Sequence, residues 1–432
     1  MRLVSVLLAL STVSVAFAQP KYDLLLKNGH VIDAKNGLDG IRDVAIKDRK
    51  IAAVAALIPA ADAAKTIDVR GLYVTPGLVD IHVHVYAGTG QKGAYSGDLS
   101  VYPDPFTFRN GVTTVVDAGS SGWRNFPDFK DRVIDRSKTR VLALLNIVGK
   151  GMGGGTTEQD TTDMDAEATA ARAKEFAGTV VGIKTAHYAG PEWIPVDRAI
   201  AAGTAAKLPV MVDFGEFRPE RPYQDLVLKK LRPGDISTHM YLDMVPMLDT
   251  QGTLLPYLKE ARKRGVIFDV GHGAGSLLFR LAGPAVQQGF IPDSISTDLH
   301  AGSMNAGLKD MLTTMNKFLA MGQSLAAVIG ESTWNPAREM RRTELGNLSV
   351  GSPADVAVLR LSRGNFGFVD SYGARLAGTS KLECELTVRD GLAVFDLNGI
   401  SREDWKKLPA NYKAQGAPGW DATLSQAVRN RK

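Results

Sequence analysis

The stretch that indicates the fold is Val74-Thr75-Pro76-Gly77-Leu78-Val79-Asp80-Ile81-His82-Val83-His84-Val85. Its first four residues form a turn signal, and the Val, Ile and Leu residues that follow predict a buried β-strand. Because alternate side chains of a strand point to the same face, we expect His82 and His84 to lie side by side. Burying two imidazoles without partners is costly. We therefore interpret the pair as ligands of a divalent metal ion, the alternative being two satisfied core histidines.

Strand-like apolar runs continue beyond this stretch, at intervals of roughly 25–40 residues and with helical patterns between them. Strands that alternate with helices predict a parallel sheet, and eight of them predict an α/β fold of the (β/α)8 TIM barrel type. We assign residues 76–340 to this barrel. The predicted strands are Leu78–Val85, Val112–Ala118, Val141–Val148, Val180–Thr185, Pro209–Phe214, Asp235–His239, Val266–Val270 and Ser294–Thr297.

Shorter strands separated by turn signals flank the barrel on both sides. Residues 19–75 and 341–400 both show this pattern, with Asn28-Gly29 and Asp48-Arg49 as predicted turns. We expect a small β-sandwich domain that is built from both chain ends. Residues 401–432 are assigned to a C-terminal tail.

The N-terminus has the pattern of a secretory signal peptide. Arg2 precedes an apolar run from Leu3 to Phe17, and small residues around Ala18 suit a cleavage site. The run is too short to span a bilayer, so no membrane span is expected in the mature protein. We predict that residues 1–18 are removed and that the protein is secreted or periplasmic. The alternative is an N-terminal helix that is kept and buried.

The composition narrows the classes of function. The chain has 432 residues, 44% of them hydrophobic, and a formal net charge of +5. No basic stripe interleaved with aromatic residues is present, so a nucleic-acid partner is not expected. A small-molecule substrate is expected instead, and a homo-oligomer remains open.

Side chains that can bind metal ions or transfer protons cluster at the predicted strand ends. Barrel enzymes carry their catalytic groups at the C-terminal ends of the strands. The residues found there are His82, His84, Lys184, Asp213, His239, His272 and Asp298, with His300 two residues further on. This distribution predicts an active site at one mouth of the barrel.

This ordered set resembles the amidohydrolase superfamily, and most closely its dihydroorotase-like amidohydrolase/deacetylase branch. Three further segments carry the same resemblance: Val74-Thr75-Pro76-Gly77, Asn335-Pro336-Ala337 and Gly351-Ser352-Pro353-Ala354-Asp355. The resemblance implies two divalent metal ions, usually Zn²⁺, bridged by hydroxide and by a lysine carbamate formed with CO₂. By the same resemblance, His82, His84 and Asp298 would hold one metal ion. Lys184 would carry the bridging carbamate, and His239 would help to hold the second ion. A buried lysine loses its charge more readily, which suits carbamate formation at Lys184.

Asp213 departs from the family pattern, in which the fifth strand commonly supplies a histidine. A carboxylate oxygen can bind zinc at a similar distance, so we predict Asp213 as a ligand, with an outer position and a single bound metal ion as the alternative. His272 and His300 are predicted to bind substrate. His187 either contacts substrate or fixes a loop, His30 is expected on the surface, and Gly151–Gly155 is expected to form a mobile loop over the site.

The resemblance implies a metal-dependent hydrolase. A metal-bridging hydroxide would attack the carbonyl of a small acylated carboxylic acid, at an amide or ester bond, with Asp298 as the proton shuttle. Two alternatives stay open: a cyclic-amide hydrolase of the dihydroorotase or hydantoinase type, and a non-catalytic scaffold relative. Five of the expected ligands are present, which argues against the scaffold: His82, His84, Lys184, His239 and Asp298.

Overall fold

The computed structural model describes residues 19–409. The predicted signal peptide lies outside these residues, so export stays a prediction. Determining the first residue of the mature chain would test it. Residues 410–432 of the predicted tail also lie outside them. Within the described range, no helix combines the length and apolarity that crossing a membrane requires.

The described residues contain fifteen β-strands and ten α-helices, several of them a single turn long. The strands are β1 (Tyr22–Asp33), β2 (Leu38–Lys47), β3 (Lys50–Ala55), β4 (Ala63–Asp68), β5 (Tyr73–Pro76), β6 (Leu78–Val83), β7 (Val112–Gly122), β8 (Arg140–Asn146), β9 (Val180–Thr185), β10 (Val210–Val212), β11 (Ile236–Ser237), β12 (Ile267–Phe268), β13 (Val356–Val369), β14 (Arg375–Arg389) and β15 (Leu392–Asp396). The helices are α1 (Asp104–Thr107), α2 (Phe126–Arg132), α3 (Ala166–Glu175), α4 (Ile194–Ala206), α5 (Tyr223–Asp225), α6 (Pro256–Lys263), α7 (Phe279–Gln287), α8 (Met311–Ala320), α9 (Leu325–Gly330) and α10 (Trp334–Glu339).

Strands β6 to β12 form one curved sheet in which each strand pairs in parallel with the next along the chain. The predicted eighth strand is not a regular strand, but the backbone of residues 294–299 hydrogen-bonds to the segments that follow the two edge strands, β12 and β6. Val270 donates to the carbonyl of Ser294 at 3.1 Å, and His84 donates to that of Leu299 at 2.9 Å. The barrel domain is therefore TIM-barrel-like, as predicted.

The flanking strands form a second sheet of eight strands, in the order β15-β14-β13-β5-β1-β2-β3, with β4 paired to β1. Strand β5 lies between β1 and β13 and joins the strands of the two chain ends edge to edge. Both chain ends thus contribute to this sheet. A division into two facing sheets, as in the predicted β-sandwich, is not confirmed.

The predicted turn at Asn28-Gly29 was wrong, because these residues form a bulge inside β1. Asn28 has a φ of 65° and its backbone N–H donates to Asp43 Oδ1 at 2.8 Å. A Cβ on Gly29 would lie 2.4 Å from Val74 Cγ2, so only glycine fits there. The two residues have turn chemistry, but the pairing with β2 resumes after them.

A second bulge aims the first barrel strand at the site. Asp80 pairs with Val115 and Val83 with Asp117, so β6 has one more residue than β7 over this interval. Val79 and Ile81 pack inside the barrel, where α10 and the residues after it close the opposite end. Bulges re-aim side chains next to active sites. Because of this bulge, apolar side chains of β6 line the barrel interior, and the imidazoles further along the chain lie at the barrel mouth.

Candidate active site

His82, His84 and Asp298 meet at the C-terminal mouth of the barrel. His84 Nε2 lies 3.1 Å from Asp298 Oδ1, and His82 Nε2 lies 3.6 Å from the same oxygen. Ligand atoms of His82, Asp298 and His239 also lie within 4.8 Å of one another. All four side chains are buried. The structure therefore brings together predicted ligands from strands β6 and β11 and from the eighth, closing segment.

Hydrogen bonds turn the imidazoles of His82, on β6, and of His84, directly after it, so that Nε2 of each ring faces this cluster. His82 Nδ1 lies 2.9 Å from Thr238 Oγ1, and because that hydroxyl donates to Asp269 Oδ2 at 2.7 Å, the imidazole Nδ1–H is the donor. His84 Nδ1 lies 2.8 Å from Ser120 Oγ. Burial lowers the pKa of His82 to about 3. Its ring is thus neutral, with the Nε2 lone pair available to a cation.

Lys184 reaches the same cluster from β9. Its Nζ lies 3.3 Å from His82 Nε2 and 3.6 Å from Met211 Sδ. The side chain is fully buried, and burial lowers its pKa. Space for it depends on Gly119, because a Cβ at that position would lie 2.7 Å from Lys184 Cβ and Cγ. Lys184 is therefore placed next to the imidazoles in surroundings that favour its neutral amine.

Asp213 faces two imidazoles. His239 Nδ1 donates to the carbonyl of Gly271 at 2.6 Å, which leaves His239 Nε2 3.4 Å from Asp213 Oδ2. His187 Nε2 lies 3.3 Å from the same oxygen. Burial opposes ionisation of this carboxyl, but His239 and His187 hold the pKa of Asp213 well below its usual value. Asp213 is therefore an anion in contact with two imidazoles.

The predicted substrate-binding residues His300 and His272 differ in their surroundings. His300 Nε2 lies 3.9 Å from Asp298 Oδ2, at the mouth of the site. His272 is fully buried, its Nδ1 donates to the carbonyl of Gly273 at 2.9 Å, and its Nε2 contacts Lys317 Nζ. Both nitrogens of His272 thus have protein partners, so the geometry favours a structural role for this ring. Substrate contact by either residue stays a prediction.

Sequence reasoning missed two residues at the site, Tyr95 and Glu158. The ring of Tyr95 packs 4.3 Å from that of His84 and 4.9 Å from that of His300, measured between centroids. Glu158 Oε2 lies 2.6 Å from His187 Nδ1. Tyr95 lies in a loop and Glu158 in the short 3-10 helix Gly155–Gln159, so neither lies at a strand end, and no motif marks them. The only signal was the glycine-rich segment before Glu158, which was expected near the site.

That segment and the loop after β6 are joined by hydrogen bonds. Ser96 N–H donates to the carbonyl of Met152 at 3.1 Å, and Gln91 Nε2 donates to that of Gly153 at 2.9 Å. His30 lies elsewhere, on β1, where its Nε2 is 2.6 Å from Asp39 Oδ1. His30 is thus no part of the site, as predicted.

We expect Gly273→Ala to weaken divalent-metal binding about 10–100-fold, the effect typical of disturbing a residue behind a metal ligand. Gly273 has a φ of 51°, and a Cβ there would lie 2.3 Å from Asp298 Oδ2. The methyl group would therefore displace that carboxylate. Titration calorimetry with Zn²⁺ measures the change. Gly275→Ala is the matched control, because its Cβ would meet no atom within 4 Å, and equal affinities of the two variants would contradict the prediction.

Comparison with known proteins extends the similarity over most of the chain. A deacetylase of Agrobacterium fabrum is 34% identical over 334 residues, which cover 76% of this chain and 80% of that protein. The solved structure of an adenine deaminase has a TM-score of 0.78 at 30% identity and covers 87% of this chain and 100% of its own. That of a dihydroorotase has a TM-score of 0.74 at 31% identity, with coverages of 86% and 99%. No family model matches the chain.

Proposed function

The chain belongs to the amidohydrolase superfamily, and on that premise we propose that it hydrolyses the amide or ester bond of a small acylated carboxylic acid. It is a metal-dependent hydrolase that acts on carbon–nitrogen bonds. The observation that carries the proposal is the buried cluster of His82, His239 and Asp298 in a chain 34% identical to a deacetylase.

We propose that this cluster holds two Zn²⁺ ions. Neutral imidazole nitrogens and carboxylate oxygens are ligands that zinc prefers. Among residues 19–409, the ion-pair contacts of the buried Asp213 and Asp298 are all with imidazoles. His82, His84 and Asp298 would hold one ion, and His239 and Asp213 the other. Lys184 would bind between them as a carbamate, formed when its neutral amine adds CO₂ and releases a proton. Its lowered pKa supports this reaction.

Bound metal ions would supply an acidified water molecule and polarise the carbonyl of the substrate. The chain supplies the proton transfer and the orientation. Burial opposes ionisation of Asp298, but His82, His84 and His300 lower the pKa of its carboxyl and keep it ionised. Asp298 can therefore accept the proton of the attacking water and pass it to the leaving group, a transfer worth about 10²–10⁴-fold.

The surroundings of the cluster favour a small substrate. The residues of the cluster are at most 8% exposed: His82, His84, His239 and Asp298. Tyr95 packs over His84, and the loops after β6 and β8 are joined by hydrogen bonds above it. A short acyl group can reach such a site, whereas a folded polypeptide cannot. This supports an acylated small acid as the substrate class.

We expect the purified chain to release acetate from N-acetyl amino acids, and we expect a chelator to abolish the release and added Zn²⁺ to restore it. The reason is that the water would be activated by the metal ions. Acetate release, measured before and after dialysis with elemental analysis of each sample, tests this. The methyl ester of each substrate is the matched control for the role of its carboxylate. Full activity in metal-free protein would contradict the proposal.

The cyclic-amide alternative has its own support, since the dihydroorotase structure is 31% identical to this chain. A hydantoin and dihydroorotate therefore belong in the same assay. If the protein opens these rings faster than it releases acetate, its substrate is a cyclic amide rather than an acylated acid. The proposed metal ligands would stay the same.

A further inference from the structure

The fifth barrel strand provides Asp213, and the imidazole that the family resemblance led us to expect there is absent from it. An imidazole nevertheless lies at that place. His187 follows β9 in the neighbouring loop, and its Nε2 is 3.3 Å from Asp213 Oδ2. His239 Nε2 is 3.4 Å from the same oxygen. Two imidazoles from different elements thus contact one carboxylate oxygen.

Both distances exceed the usual 2.7–3.2 Å of an N–H···O hydrogen bond. They equal the separation of two ligands on one tetrahedral zinc ion, about 3.3–3.4 Å for bonds of about 2.0–2.1 Å. The contacts therefore have the spacing of shared metal ligation.

The ring of His187 is held with Nε2 toward Asp213. Its Nδ1 lies 2.6 Å from Oε2 of Glu158, a carboxylate that is itself 4% exposed. Gln159 Nε2 donates to the backbone carbonyl of His187 at 2.8 Å. A carboxylate behind the second nitrogen is the usual arrangement for a metal-binding histidine. Glu158 thus gives His187 the orientation that a ligand needs.

The backbone of His187 resembles that of other site residues. Its φ is 56°, against 58° for His239 and 51° for Asp298. Left-handed backbone is strained for a residue other than glycine, and such strain concentrates at functional sites. All three residues lie at the ends of barrel strands. His187 thus shares this strained conformation with two of the proposed ligands.

A buried arginine fixes the two loops that carry His187 and Asp213. Arg221 is 2% exposed, and its guanidinium donates to the carbonyls of Tyr188 at 2.8 Å and Phe214 at 3.0 Å. These carbonyls belong to the residues directly after His187 and Asp213. Arg221 therefore fixes the positions of His187 and Asp213 relative to each other.

We propose that His187 is a ligand of the second metal ion and replaces the histidine that the fifth strand lacks, with Glu158 as its positioning residue. This inference rests on the proposed function, because it presumes a second metal ion. Besides the shared Lys184 carbamate, it assigns that ion three side chains: His187, His239 and Asp213. Glu158 acts through His187 and touches no metal ion.

The proposal predicts that His187→Ala lowers the zinc content from about two ions per chain to about one, measured by elemental analysis. The visible spectrum of the Co²⁺-loaded protein should lose the bands of the second ion. His30→Ala is the matched control, since that imidazole pairs with Asp39 on the other sheet. The double variant His187→Ala/Asp213→His returns an imidazole to the fifth strand and should regain the second ion.

A second measurement does not depend on how the variants fold. Anomalous scattering from a crystal of the Co²⁺-loaded wild-type chain should place a metal ion within bonding distance of His187 Nε2, about 2.0–2.1 Å. A second ion without a bond to His187 would overturn the inference, and so would an unchanged zinc content in His187→Ala. Either result leaves metal-dependent hydrolysis intact. Hydrolysis by metal-free protein would overturn the proposed function itself.

Discussion

Lys184→Ala is expected to abolish hydrolysis and to remove much of the bound metal, and short carboxylic acids such as acetate or propionate are expected to restore part of both. Lys184 is fully buried beside His82. Its carbamate would supply two anionic oxygens between the ions, and the methyl group of alanine supplies none. A small carboxylate can enter the space left by the shortened side chain and bind in the same way. Zinc content and turnover, each measured against added carboxylate, test the prediction.

Lys317→Met provides the matched control, because Lys317 is also a fully buried lysine but contacts His272 and the carbonyl of Gly307. This variant should keep its metal content and should not respond to added carboxylate. Rescue of Lys184→Ala alone would separate the chemistry of the carbamate from the general cost of removing a buried lysine. A crystal structure with an unmodified Lys184 turned away from bound metal ions would contradict the carbamate.

Much of the fold could be predicted because the barrel strands are buried on both faces. Such strands are rich in apolar residues, as Leu78–Val83 and Val180–Thr185 are, even though each also carries polar residues of the site. Because helical patterns separate these runs along the chain, the sequence predicts that the strands are parallel. The bulge at Asn28 could not be predicted, since its deciding partners, Asp43 and Val74, lie 15 and 46 residues further along the chain. Local sequence showed turn residues but not the strand that continues past them.

The residues of the site likewise divide into those that the sequence predicts and those that it does not. Residues at strand ends were found because the barrel rule gives their position, and the structure brings His82, His84, Lys184, His239 and Asp298 together. Glu158 and Tyr95 were missed, because the segments that connect strands and helices have no rule that relates their sequence to a place in space. The partner of His272 could not be foreseen either, since Lys317 follows it by 45 residues on α8.

Asp298→Asn is expected to keep the fold and to lower turnover by about two to four orders of magnitude. Asparagine has nearly the same shape, and its amide oxygen can still face His84 Nε2, which lies 3.1 Å from Asp298 Oδ1. It cannot accept a proton at working pH. The loss should therefore persist across the whole pH range, whereas the metal content should stay near that of the wild type. Turnover against pH, with elemental analysis of the same samples, measures both.

Asp165→Asn is the matched control, because it makes the same change at the N-cap of α3, where asparagine caps equally well. Its turnover should equal that of the wild type. If Asp298→Asn loses metal and activity together, Asp298 acts mainly as a ligand and the proton passes through another group. If it hydrolyses the best substrate at nearly the wild-type rate, Asp298 does not carry the proton. His300 is then the next residue to test, because its Nε2 lies 3.9 Å from Asp298 Oδ2 and both nitrogens of His272 have protein partners.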